Sequence, residues 1–253
     1  MSSRKSFGVV LFAVLLCSAL FTGPAAAVQS EPTDLPEESE VGSDFEATFE
    51  VTELFDEFER WTLVSSTELE NATWTIRQYN QADDELSRED IDGQNATQSV
   101  DIDDGTARIE VRVAGTTPEI ESFSYDPPDR FTAAAFTLER EGGTEQPVDS
   151  HESHHFTQES DDARNAIDNA RDAVEGSGSD EAQSSLDSSI SAYESGNFEN
   201  AINNAERAQG EASQSQLVRN ALLGLGAVIV LALLLGGGYW VYKSRQQGPS
   251  RLR

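Results

Sequence analysis

The chain has 253 residues, with 46 Asp and Glu against 17 Lys and Arg, three His, one Cys and one Met. A formal net charge of -29 opposes contact with a polyanionic backbone, which excludes nucleic acid as a partner. A single Cys excludes an internal disulfide framework and any cysteine-rich metal module.

Arg4 and Lys5 precede an uncharged run from Phe7 to Phe21, then Gly23-Pro24 and Ala25-Ala26-Ala27. Basic region, short hydrophobic region and small-residue cleavage site follow in the order of a secretory signal peptide, predicted over 1–27 with the cut after Ala27. Ser3-Arg4-Lys5-Ser6-Phe7 resembles a twin-arginine export signal with Lys in place of the second Arg, which leaves the export route open. Cys17 lies inside the apolar run and leaves with it, since Leu16 is not the small residue that precedes a lipoprotein cysteine. Residues 28–42 carry Pro32, Pro36 and five acids with almost nothing apolar, so a disordered acidic leader is expected.

From Ser43 the pattern changes to period two. Phe45, Ala47, Phe49 and Val51 alternate with polar residues, as do Ala72, Trp74 and Ile76, then Ala107, Ile109, Val111 and Val113, then Phe131, Ala133 and Ala135. Leu54, Phe55, Phe58 and Trp61 have helical spacing instead, so a short helix is expected to interrupt the first strands. Asp104-Gly105 marks a hairpin, and Asp92-Gly93, Thr117-Pro118 and Asp126-Pro127-Pro128-Asp129 break the other segments. Six or seven strands in this length predict an immunoglobulin-like antiparallel β-sandwich over 43–145, without the Cys pair of true immunoglobulins. Asn71-Ala72-Thr73 and Asn95-Ala96-Thr97 are N-glycosylation sequons, which places Asn71 and Asn95 on the surface of an exported chain. Asp101, Asp103 and Asp104 resemble part of a calcium loop, but the Gly arrives one position early and a hairpin turn is expected.

Residues 146–156 read as a linker that holds His151-Glu152-Ser153-His154-His155. This matches H-E-x-x-H, in which helical spacing puts His151 and His155 on one face to hold zinc while Glu152 polarises the bound water. Ser153 and His154 are polar where zinc peptidases bury that helix, and Glu175 is a distant third carboxylate. His151, His154 and His155 are therefore candidate metal ligands, and a zinc peptidase is the catalytic alternative.

Over 157–212 the period becomes helical. Ala163, Ala166, Ile167, Ala170, Ala173 and Val174 form one stripe; Ala182, Leu186, Ile190 and Tyr193 a second; Phe198, Ala201, Ile202, Ala205 and Ala208 a third. Ser179 and Asn197 are expected N-caps. Residues 182–208, with Tyr193-Glu194-Ser195-Gly196-Asn197-Phe198 at the joint, are similar to the helix pair of a tetratricopeptide repeat, departing from it at Ala205 and lacking its closing Pro. Residues 213–220 form a juxtamembrane segment. Residues 221–242 carry no charge and include eleven Leu, Ile or Val. As a helix they extend about 33 Å, which predicts a transmembrane span. The basic tail 243–253 then faces the cytoplasm and the remainder faces outward, as a single-pass protein of the cell membrane. Ala232 and Gly236 to Gly238 suggest a weak homodimer through that span.

Residues 28–216 hold all 46 acids and ten Arg, a balance of 10 minus 46, or -36, with no Lys. In this composition the chain resembles exported surface proteins of extremely halophilic archaea. The expected fold class is α+β: the sandwich, a short three-helix module and one transmembrane helix. The expected function is binding or envelope display outside the cell, without cofactor or catalysis, with the lipid bilayer and envelope or membrane proteins as partners. A role as accessory subunit of a membrane assembly, docking through the helices, is the further alternative.

Overall fold

A strand with apolar residues on one face is stable only when that face meets another, so period-two segments of this length assemble as layers. The computed structural model describes residues 27–140 and 142–246. In chain order the strands are β1 (Gln29–Asp34), β2 (Glu38–Glu40), β3 (Asp44–Thr52), β4 (Arg60–Ser66), β5 (Glu70–Tyr79), β6 (Glu85–Asp92), β7 (Asn95–Asp101), β8 (Arg108–Thr116), β9 (Arg130–Arg140) and β10 (Thr144–Phe156). One five-stranded sheet has the order β1-β3-β8-β5-β6 and the other β2-β10-β9-β4-β7. Phe45, Phe49 and Val51 of β3, Trp74 and Ile76 of β5 and Val111 of β8 are buried in one core with Trp61, Leu63, Phe131, Phe136 and Leu138 of the second sheet. Edge-on ring pairs bridge the layers, Phe45 with Phe131 at 5.2 Å and Phe49 with Phe136 at 5.4 Å.

Several expectations are corrected. Residues 28–42 are not an irregular leader: β1 pairs antiparallel with β3, and β2 pairs parallel with the end of β10. The sandwich is therefore not wholly antiparallel, has ten strands, and reaches from Gln29 to Phe156 rather than over 43–145. Pro32 is tolerated because β1 is an edge strand. The expected helix around Phe55 is a series of turns, and Trp61 belongs to β4 instead, its indole Nε1 donating to the Leu54 carbonyl at 2.8 Å. Along β9 the inward phase changes after Ala133, so that Ala134, Phe136 and Leu138 are buried and Ala135 is not. The register with β10 passes from Ala134 to Thr132, leaving Ala133 as the extra residue of a bulge.

Three helices follow: α1 (Gln158–Glu175), α2 (Asp180–Glu194) and α3 (Phe198–Gln246). Thr157 and Ser160 form a reciprocal cap at the start of α1, and the Ser179 hydroxyl accepts from the Ala182 N–H at the start of α2. Ala163, Ile167, Ala170 and Val174 of α1 meet Ala182, Leu186 and Tyr193 of α2 and Ala201, Ala205, Ala208 and Ala212 of α3. The unit is held to the sandwich by the connection between β8 and β9. Tyr125 from that connection is buried among the helices, its hydroxyl donating to Asp168, while Arg164 donates to the carbonyls of Tyr125 at 2.8 Å and Ser124 at 3.0 Å. Phe123 packs edge-on to Phe198 at 4.7 Å, and the Arg171 guanidinium lies 4.6 Å from the centre of the Tyr125 ring.

Residues 213–220 and 221–242 do not form a separate joint and span. Both belong to α3, a single helix of 49 residues whose first half is polar and contributes an alanine stripe to the helical core. Among the described residues no helix is long and apolar enough to cross a membrane. That overturns the transmembrane helix of the expected fold class, together with the single-pass topology that depended on it. Leu217, Leu222, Ile229, Leu233, Leu235 and Trp240 are exposed on α3. The signal peptide, apart from Ala27, and residues 247–253 of the basic tail lie outside the described residues.

Candidate functional site

The histidines of the H-E-x-x-H match lie on β10, not on a helix. On a strand, residues four apart are separated by about 13 Å, so His151 and His155 do not converge on one ion. Each imidazole has its own partner. His151 Nε2 is 2.8 Å from the Ser30 hydroxyl, which also lies 3.2 Å from Asp149 Oδ2. A carboxylate only accepts, so Asp149 Oδ2 takes the Ser30 N–H at 2.9 Å and lies within reach of the Ser30 hydroxyl, while the direction of the Ser30 to His151 bond follows the imidazole tautomer. Ser30, His151 and Asp149 thus form one hydrogen-bonded group. It ties β1 of one sheet to β10 of the other, and His151 stacks on Phe49 at 4.8 Å.

His154 Nδ1 donates to the Asp129 carbonyl at 2.7 Å and His155 Nδ1 to the Pro118 carbonyl at 3.2 Å. Among the described residues no group of three or more His, Cys, Asp and Glu is placed to hold a metal ion. Burial holds both His151 and His155 below the ordinary imidazole range, opposed at His151 by Asp149 and at His155 by the Pro118 carbonyl and by Asp129. His155 lines a cleft of about 420 Å³ at the helical end of the sandwich, with Glu68, Glu121, Asp129 and Arg130 around it. Glu68 and Asp129 are already engaged there by the backbone N–H groups of Thr132 and Ser124.

Antiparallel pairing of β3, β5 and β8 sends the connections 53–59, 80–84 and 102–107 to the opposite end. Between them lies a second cleft, of about 520 Å³, lined by Glu53, Phe55, Asp56, Asp83 and Arg108. Arg108 is held by Asp83 at 3.1 Å and Glu50 at 3.5 Å and lies over the Tyr79 ring at 4.0 Å. The Asn80 side chain folds its own connection by accepting the N–H groups of Ala82 and Asp84. Residues 102–104 form a short 3-10 turn capped by Asp101, as a hairpin connection rather than a calcium loop. Both sequon asparagines are exposed, Asn71 with φ 50 in the bulge where β5 leaves β8 and Asn95 at the start of β7.

No family model matches the chain, and no curated protein does either. Solved structures that resemble it include the sporulation control protein Spo0M from Bacillus subtilis, at 12% identity over 56% of this chain and 55% of that one, with a TM-score of 0.29. The alkylpurine DNA glycosylase AlkC of Pseudomonas fluorescens, bound to DNA containing an abasic site analog, matches at 11% identity over 51% of this chain and 30% of its own, with a TM-score of 0.26. A conjugative transposon lipoprotein from Bacteroides eggerthii matches at 8% identity over 50% of this chain and 95% of its own, with a TM-score of 0.24. The chain thus spans about half the length of the first of these, and scores of this size carry no argument about activity.

The two clefts and the aromatic anchor at Phe123 and Tyr125 escape a search by motif, because their residues come from connections far apart in sequence. One signal for the anchor is present: two aromatics spaced by two in a proline-rich connection, with Arg164 and Arg171 seven residues apart on one face of α1.

Proposed function

We propose that the chain is an exported, envelope-associated binding protein that presents the connections 53–59, 80–84 and 102–107 to a ligand, with the helical unit as its mount. The observation that carries this reading is the polarity of the molecule. The helices are fastened to one end of the sandwich by Tyr125, Phe123 and Arg164, which leaves the opposite end to three connections and their cleft. Ligand sites on rigid scaffolds are commonly built from such connections. Export is supported by the basic, apolar and small-residue order before Val28, and cleavage after Ala27 leaves every strand of the sandwich intact, since β1 begins at Gln29. The carboxylate-rich, lysine-free composition of residues 28–216 suits a surface hydrated in concentrated salt. A binding role is supported by the histidine chemistry, since all three imidazoles serve hydrogen bonds within the sandwich.

The test is the mature amino terminus and its compartment. Mass spectrometry of the native protein should find a chain beginning at Val28 in the envelope fraction. A chain that retains Met1 and stays with the cytosolic fraction would overturn the reading.

A further inference from the structure

His155 is 7% exposed, and its Nδ1 faces the Pro118 carbonyl at 3.2 Å. A carbonyl only accepts, so Nδ1 carries the proton and Nε2 of the neutral ring is a bare acceptor. Among the described residues nothing bonds to that Nε2. The described side-chain nitrogens and oxygens that are both shut off from solvent and unpartnered belong to Ser65, Thr106, Arg140 and Arg164. His155 Nε2 is not one of them, so it keeps accessible surface of its own, and the space that His155 lines is the cleft of about 420 Å³ at the helical end. An acceptor on an otherwise buried ring, opening on a cleft, calls for a donor there.

The groups around it specify that donor. Glu68 and Asp129 each give one carboxylate oxygen to a backbone N–H, of Thr132 and Ser124, which leaves the other oxygen of each without a partner. Both carboxylates act electrostatically on the His155 ring. Arg130 lines the same cleft, is exposed, and among the described residues has no ion pair or hydrogen bond, although carboxylates outnumber it there. Unused acceptors and an unused guanidinium thus share one space, and a simple cation or a simple anion would satisfy only one of the two. A metal ion is a poorer match, because among the described residues no His, Cys, Asp and Glu group is placed to hold one.

We propose that this cleft binds a small zwitterion of the amino-acid class, whose ammonium donates to His155 Nε2 and to the free oxygens of Glu68 and Asp129 while its carboxylate accepts from Arg130. The volume, about 420 Å³, falls in the range of small-molecule sites, about 300–1,000 Å³. The site lies at the opposite end of the sandwich from the connections 53–59, 80–84 and 102–107, and it stands or falls independently of any ligand bound there.

Glycine is the probe, and glycine betaine is its control, since three methyl groups remove every N–H donor and leave the carboxylate and both charges in place. Calorimetric titration of the full chain in about 1 M KCl, where the Debye length is about 3 Å, suppresses diffuse attraction to the acidic surface. Saturable one-site binding of glycine is expected there, and none of glycine betaine. Arg130→Gln should weaken glycine binding about tenfold, the loss of one charge-assisted hydrogen bond. His155→Phe keeps a ring and removes the acceptor, so it should abolish binding. Asp56→Asn, in the cleft at the other end, should leave binding unchanged. Should His155→Phe fail to fold by circular dichroism, Arg130→Gln decides alone, because Arg130 is exposed and its replacement breaks no contact of the fold. Absence of saturable glycine binding, binding of glycine betaine as tight as that of glycine, equal binding by Arg130→Gln and the parent, or loss of binding in Asp56→Asn would each overturn the proposal.

Discussion

His151 and His155 are kept neutral by burial, and this ties stability to pH. Their folded pKa values lie below the unfolded value of about 6.5, so between the two the unfolded chain binds more protons. Their contribution is complete above about pH 6.5 and is lost as pH falls through the folded values. The melting temperature should therefore drop between about pH 7.5 and 5, with a shallower slope in His155→Gln than in the parent; identical slopes would contradict the assignment. Gly115 shows a different constraint. A Cβ there would lie 2.8 Å from the Glu70 carbonyl oxygen and 3.0 Å from Leu69 Cβ, where β5 bulges away from β8. The nearest atom is backbone and cannot swing aside, so Gly115→Ala should destabilise by about 1–3 kcal/mol in denaturant unfolding. Asn71, on the same bulge, takes a left-handed φ of 50 that Asn tolerates better than most residues. Its sequon thus also answers a local backbone demand.

At the scale of elements, the connection between β8 and β9 couples two cores that sequence periodicity describes separately. Tyr125 is buried in the helical core, with the guanidinium groups of Arg164 and Arg171 at 5.0 Å and 4.6 Å from the centre of its ring. Tyr125→Ala removes a large ring from a filled site and should cost about 3–5 kcal/mol. Calorimetry should then resolve an early transition of the helices from a later one of the sandwich, where the parent unfolds in one step; a single transition in both would show that the coupling runs elsewhere. What was legible beforehand follows the same physics. The inward faces of β3, β5 and β8 and the stripes of α1 and α2 come from residues near in sequence, and burial follows the period. β1 and β2 look irregular in sequence because short edge strands rich in acids bury little and carry no period. The run 146–156 resembles a linker because β10 is exposed along much of its length. Neither cleft was visible, since each gathers residues from three or more connections.

For the whole molecule the charge balance and the exposed apolar residues of α3, among them Leu217, Leu222, Ile229, Leu233 and Trp240, act in opposite directions on solubility. The row from Leu217 to Trp240 exceeds what monomeric proteins ordinarily expose, so a chain ending at Gln216 should elute as a single monodisperse species while the full chain associates on size-exclusion chromatography. The sandwich and helices should keep their stability in the shorter form, because the last buried residue of the helical core is Ala212. Electrostatics should govern the remainder. Of the 46 acids in residues 28–216, at least 36 have no arginine of that segment to match, the difference between 46 and ten. Cross-strand pairs such as Arg77 with Glu110 at 2.7 Å and Arg60 with Asp101 at 2.5 Å gain strength as salt is removed, but exposed pairs contribute little each. Repulsion among the unmatched carboxylates grows over the same range, as the Debye length lengthens from about 3 Å at 1 M to about 30 Å at 0.01 M. Repulsion has the larger number of partners and the longer reach, so it should win. Unfolding of the shorter form followed by circular dichroism should show the midpoint falling steadily as KCl is lowered from about 1 M to about 0.01 M. A midpoint that rises instead would mean that the arginine pairs on the sheets dominate the electrostatics of the fold.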